Sequence, residues 1–340
     1  MKKIISLVLA LALIFALAAC GSGSTATTAA EESAAEEAAP AEEPAAEAET
    51  ESAEAEPEAA EPEAEPGEIN LYVLSGPTGI GALNLWAAAE EGSTRNTYNV
   101  TMTGANDEIV AAISNGEADI AAVATNLAAT LYNKTSGGVS VLAVNTLGVL
   151  SILSSGEEIA SVADLAGRTI YAPGQGANPE YILRYVLAGN GIDPDNDVTI
   201  NFVAEGSELL SVWASDPDAF IMAPQPVATT ILMQNEGSVR LFDMTDEWNA
   251  VSGGESTLMM GCVIVRNEFL EANPGAVEIF LQEYAESIAA AQTDTEGTAA
   301  LCESYGIIPK AAVAMKALPY CGLTFVSGSE MKAQLADTCR

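Results

Sequence analysis

The 340-residue chain contains no histidine, which removes the commonest metal ligand and the commonest general base. Basic side chains are scarce as well: 12 Lys and Arg stand against 48 Asp and Glu, a formal charge of −36. A surface of that sign repels phosphate backbones, so nucleic acid is excluded as a partner. Cysteine is sparse, and Cys262, Cys302, Cys321 and Cys339 follow no zinc spacing. No metal and no cofactor is expected. Those four allow one or two disulfides outside the cytosol, in pairings that spacing does not separate. Cys262, inside the apolar run Leu258 to Val265, reads as a buried thiol, and the other three stay open.

Long apolar runs are also missing, apart from Ile4 to Ala16 behind Lys2 and Lys3. A permanent span of the roughly 30 Å hydrocarbon layer needs about 20 such residues, so this run reads as the core of a secretory signal. The small-residue stretch Leu17-Ala18-Ala19-Cys20-Gly21 places cleavage after Ala19. It resembles the bacterial lipobox, which implies that Cys20 carries lipid and holds the protein to the membrane. Residues 24–67 are almost wholly Ala, Glu, Pro, Ser and Thr, with fifteen Glu and no Lys or Arg. No core forms from such a composition, and self-repulsion keeps it extended as a tether.

From residue 69 onward the chain is long enough for two lobes, each with its own core. Ten basic and 32 acidic residues remain once Lys2, Lys3 and the sixteen Glu up to Glu68 are set aside, a net charge of about −22. Apolar runs alternate with helical patterns, the mark of an α/β fold with parallel strands and crossover helices. Strands are expected at Leu71 to Leu74, Val100 to Thr103, Ile120 to Val123 and Val141 to Asn145. Asn106 should cap a helix that Asn115-Gly116 ends. The pattern restarts with strands at Thr169 to Ala172, Val198 to Val203 and Ala219 to Met222, and Asn178-Pro179-Glu180 supplies cap and first turn. Gly76 and Gly174 are 98 residues apart and Asp119 and Asp218 are 99 apart, as in two copies of one plan. After Met244 a polar stretch runs to Glu255, and the strand Leu258 to Val265 returns the chain to the first lobe. The expected organisation is a signal over 1–19, lipidated Cys20 and linker over 20–67, first lobe over 68–150, second lobe over 151–250, and the return over 251–340. Crossings near 147–155 and 244–258 form a hinge.

Three blocks resemble the nitrate, sulfonate and taurine type of periplasmic binding proteins, which also includes binders of thiamine precursors. They are Asn115-Gly116-Glu117-Ala118-Asp119-Ile120, then Asp164-Leu165-Ala166-Gly167-Arg168-Thr169-Ile170-Tyr171 leading into Gly174-Gln175-Gly176, and Glu271-Ala272-Asn273-Pro274. The resemblance implies a type II periplasmic binding protein fold with a ligand cleft between hinged lobes. It also implies a monomeric, extracytoplasmic binder of a small organic ligand that delivers it to an ABC permease in the membrane. An enzyme on the same two-lobed fold, of the thiamine-pyrimidine-synthase kind, is the alternative, with an adhesive surface lipoprotein as a third class. No catalytic residues are assigned, since the enzyme would want His or a reactive cysteine cluster.

Ligands of open parallel sheets sit beyond the carboxyl ends of the strands. The loops there offer Ser75, Gly76, Thr78, Gly79, Asn106, Thr125, Asn126, Gln175, Gly176, Asn178 and Gln225 as ligand-binding residues, with Trp248 as a ring to stack on. Each also reads as an ordinary cap or turn residue. Trp213 reads as core. None of these loops carries Lys or Arg, and one helix terminus contributes only about 0.3–1 kcal/mol against the roughly 8 of micromolar binding. A neutral or modestly polar organic ligand, or an anion held by backbone alone, is expected. Gly174-Gln175-Gly176 is not a dinucleotide fingerprint, because Pro179 stands at the third glycine position.

Overall fold

The computed structural model of the chain describes residues 64–216 and 218–338. The signal segment, Cys20, nearly all of the acidic linker and Cys339 lie outside the described residues. The first stretch runs β1 (Glu68–Leu74), α1 (Pro77–Ile80), α2 (Leu83–Glu90), β2 (Thr97–Thr103), α3 (Asn106–Asn115), β3 (Ile120–Ala124), α4 (Thr125–Lys134) and β4 (Val139–Thr146). Next come β5 (Leu150–Ser154), β6 (Thr169–Pro173), α5 (Asn178–Gly189), β7 (Thr199–Val203), α6 (Leu209–Ser215), β8 (Phe220–Pro224), α7 (Val227–Gln234), β9 (Val239–Asp243) and α8 (Met244–Ser252). The chain ends with β10 (Gly261–Arg266), α9 (Asn267–Ala272), α10 (Pro274–Thr293), α11 (Thr295–Ser304), α12 (Ala311–Ala317), β11 (Leu323–Ser327) and α13 (Gly328–Thr338).

The strands form two sheets, β2-β1-β3-β10-β4-β11 and β7-β6-β8-β5-β9. In each, a central strand pairs in parallel on both sides, β1 with β2 and β3, β6 with β7 and β8. The fourth strand, β10 or β5, is antiparallel to both neighbours. β10 and β5 are also the first strands laid down after the chain passes from one sheet to the other. The duplicated plan therefore includes the manner of crossing, and the sheets are mixed where the sequence pattern suggested parallel ones.

Burial follows the pleat. Ile69, Leu71 and Val73 alternate into the core, so β1 begins three residues before the apolar run suggested. Opposite them α10 presents Val277, Phe280, Tyr284 and Ile288 at helical spacing. Each such fully buried side chain contributes roughly 1.5–3 kcal/mol. Ser287, on the same face, accepts from Leu85 N at 3.0 Å and donates to Gly81 O at 2.6 Å, which fastens the turn between α1 and α2. A second core holds Ile170, Leu183, Val186 and Phe220, with Trp248 packed against it. Trp213 is buried beside Leu209 and Ile221, in a core as expected.

Two local expectations are corrected. The stretch after Met244 is a helix, anchored by buried Met244 and capped by the Asp243 carboxylate on Thr245 N at 2.9 Å. β10 starts at Gly261, because residues 256–260 carry the return crossing, where Met260 N donates to Thr146 O at 3.0 Å. The outward crossing is only residues 147–149, since β5 occupies most of the stretch that reads as linker. It is tightly packed: a Cβ on Gly148 would lie 2.1 Å from Thr245 Oγ1, so any other residue would have to displace the Thr245 side chain. Gly322, at φ 56°, would bring a Cβ to 2.5 Å from Gly148 O.

Candidate functional site

The strand order brings the carboxyl ends of β1, β3, β6 and β8 to the space between the lobes. α4 and α5 start there, one from each lobe. Asn178 Nδ2 donates to Thr125 Oγ1 across the gap at 2.9 Å. Thr125 is held from behind, its N–H on Met260 O at 3.1 Å and its hydroxyl on Met259 O at 3.1 Å. Asn178 is not the cap expected from Asn-Pro-Glu. Ala177 takes that position in extended backbone, and the Asn178 side chain is released to reach the other lobe.

The start of α5 also carries a negative charge. Glu180 accepts from Gly176 N at 2.7 Å and from Arg184 Nε at 2.8 Å. The Gly176 N–H and the Arg184 guanidinium hold its carboxyl below the usual glutamate range. The carboxylate thereby occupies the Gly176 N–H, a loop donor just before the cap of α5.

On the first lobe, buried Asn145 is the polar centre. Its Nδ2 donates to Thr78 O at 3.0 Å and to Tyr284 Oη at 2.9 Å, and its Oδ1 accepts from Thr146 Oγ1 at 3.1 Å. One amide thus ties α1 to the end of β4 beside the crossing. Burial pushes the Tyr284 hydroxyl far above its ordinary pKa, so it stays a neutral partner. On the second lobe, Gln225 N donates to Val149 O at 3.0 Å and its Oε1 accepts from Thr229 at 2.7 Å. Its Nε2 is buried without a partner, a donor whose desolvation is uncompensated.

The remaining candidates are spread unevenly. Ser75 N donates to Thr103 O at 2.8 Å, and Gly76, at φ 107°, opens α1 with free space where a Cβ would stand. Gly79 is structural, because a Cβ there would sit 2.5 Å from Leu74 O. Asn126 is half-buried in the first turn of α4, while Gln175 and Gly176 are exposed. Asn106 is exposed and is not the cap of α3; Ala105 is, and Thr103 Oγ1 accepts from Ala105 N at 3.0 Å. Trp248 is committed elsewhere: its ring lies 4.3 Å from that of Tyr185, and its Nε1 donates to Ser256 Oγ at 3.0 Å. Sequence reasoning missed Asn145 and Tyr284. The available signal was the polar pair Asn145-Thr146 closing an otherwise apolar strand.

Cys262, Cys302 and Cys321 are free and buried, with no disulfide among them. Burial pushes each thiol up to about 12. A recess of about 380 Å³ at the amino ends of β3 and β4 is lined by Asn115, Lys134, Arg266 and Glu268. Its Arg266 is already engaged, by Asp119 at 2.8 Å and Glu268 at 3.3 Å.

Two hinged lobes of one strand order, meeting at the carboxyl ends of their central strands, define the type II periplasmic binding protein fold. A family model described as NMT1/THI5 like matches residues 99–297, more than half of the chain, and the chain belongs to that family. No curated protein matches it in sequence. Among solved structures, an ABC transporter protein from Parabacteroides distasonis is 18% identical, with a TM-score of 0.66 over 79% of this chain and 89% of that one. The periplasmic aliphatic sulphonate binding protein of Escherichia coli is 17% identical, with a TM-score of 0.64 over 82% and 86%. The periplasmic nitrate-binding protein of Synechocystis is 12% identical, with a TM-score of 0.53 over 78% and 75%. At these identities the likeness carries the fold.

Proposed function

We propose that the chain is an extracytoplasmic solute-binding lipoprotein that closes on a small organic ligand between its lobes and delivers it to an ABC importer. The observation that carries this is the Asn178 to Thr125 hydrogen bond, which joins the start of α5, after β6 in one lobe, to the start of α4, after β3 in the other, where such a ligand would be clasped. The family, and neighbours named for sulphonate and nitrate binding, support the ligand range of sulfonates, nitrate, taurine and thiamine precursors. Within that range the cleft loops, which carry no Lys or Arg, favour a neutral or modestly polar solute, or an anion held by backbone alone. Thr78, Thr125, Asn126, Gln175, Asn178 and Gln225 are the proposed polar contacts.

Binding rather than catalysis is supported by the absence of histidine and by three thiols buried in their protonated form. Cleavage after Ala19, a lipid on Cys20 and the acidic stretch up to residue 67 as a spacer complete the reading. Residues 68–150 and 251–340 form one lobe and 151–250 the other. A thermal-shift screen of the purified chain against alkanesulfonates, nitrate, taurine and pyrimidines tests it, because a ligand of the folded state raises the melting temperature. A hit that is chemically turned over, or no shift with any of these at millimolar concentration, would replace the reading.

A further inference from the structure

A second recess lies on the seam between the lobes, offset from the cleft loops. One wall comes from the second lobe, with Thr229, Leu232 and Met233 of α7 and Arg240 of β9; the other comes from Lys316 in the last turn of α12 and from Pro319 and Tyr320 just after it. Arg240 pairs with Leu153, which pairs with Ile221 near the start of β8, whereas the cleft loops follow the end of that strand. The space is about 670 Å³, within the roughly 300–1,000 Å³ of small-molecule sites.

Its chemistry is unlike the rest of this acidic chain. Arg240 Nη1 is shut off from solvent and has no hydrogen-bond partner. A guanidinium does not deprotonate, so a charged donor is held where leaving it unpaired is costly. The guanidinium carbon lies 3.5 Å from the centre of the Tyr320 ring. Stacking covers one face, and with Nη1 closed off it is the Nε and Nη2 edge that is left to grip a carboxylate or sulfonate through two parallel bonds. Lys316 adds a second cation at the rim, and neither enters an ion pair among the described residues. Met233 and Tyr320, 40% and 46% exposed, leave apolar surface open beside these charges.

We propose that the seam recess binds a small organic anion: a carboxylate or sulfonate on an apolar or aromatic body. Arg240 forms the fork, Lys316 supplies the second charge, and Tyr320, Met233 and Leu232 support the body. The site is separate from the cleft, and its three test side chains lie outside the cleft loops, so the result does not depend on what the cleft takes. The full chain is titrated calorimetrically with naphthalene-2-sulfonate and, separately, with sulfate. Saturable binding of the naphthalenesulfonate is expected, weakened about tenfold by Arg240→Gln, the size of one hydrogen bond to a charged group. Lys316→Gln and Tyr320→Leu should each weaken it several-fold, and sulfate, lacking the apolar body, should bind far more weakly. If Arg240→Gln does not fold by circular dichroism, the two exposed positions carry the test. Absence of saturable binding to the unaltered chain, or binding that the folded variants all retain, overturns the proposal.

Discussion

Asn178 Nδ2 and Thr125 Oγ1, 53 residues apart in sequence and on different lobes, lie 2.9 Å apart. A partly exposed hydrogen bond of this kind contributes about 0.5–1.5 kcal/mol, enough to shift a balance between open and closed lobes several-fold. Asn178→Ala should therefore raise the radius of gyration of the ligand-free chain in small-angle scattering while leaving its circular dichroism unchanged. An unchanged radius would mean that the contact does not govern closure.

Asp119 and Arg266 make a different kind of contact, inside the first lobe. Asp119 also accepts from Asn70 N and Nδ2, at 3.0 and 2.8 Å, so one carboxylate joins β1, β3 and β10. Removing Asp119 leaves the mostly buried Arg266 with only the exposed Glu268 at 3.3 Å, and breaking a buried pair from one side is costly. Asp119→Ala should cost about 3 kcal/mol in urea unfolding. The double replacement Asp119→Leu with Arg266→Met should cost less than the single change.

Acid sensitivity should trace partly to Glu180. Its folded pKa is lowered from 4.5, so folding favours the carboxylate, and its contribution is present above about pH 4.5 and fades as pH falls through the lower folded value. Glu180→Gln removes that titration but keeps an oxygen for Gly176 N. Between pH 6 and pH 3.5 its melting temperature should drop less than that of the unaltered chain; an equal drop would assign the acid limb to other groups.

The buried thiols should be silent. With pKa values near 12, Cys262, Cys302 and Cys321 carry almost no thiolate at neutral pH. Iodoacetamide should label none of the three in the native chain and all of them in urea, as read by mass spectrometry of their peptides.

Much of this architecture is written in local pattern. The run Ile120 to Val123 between Asp119 and the polar pair Thr125-Asn126 reads as strand then helix, and the structure has both. Met244–Ser252 escaped because its apolar stripe is only Met244, Trp248 and Val251, set among polar residues in MTDEWNAVS; packing of Trp248 on Tyr185 from α5 helps to hold it. Asn178 shows why the candidate site was legible only in part. Its neighbours Pro179 and Glu180 mark a helix start, but whether an Asn side chain turns back to cap its own helix or reaches another lobe depends on where that lobe stands. Arg240 and Tyr320, 80 residues apart, carry no sequence signal of their meeting.

The antiparallel strand β10 sits between β3 and β4, although the whole second sheet is made before it. On the ribosome the first lobe must wait with β3 and β4 unjoined, while the second, contiguous from β5 to β9, closes on itself. A chain halted before Gly261 would thus carry one finished body and one with bare strand flanks. The last quarter of synthesis is what makes the stretch from β1 to β4 into a folded object.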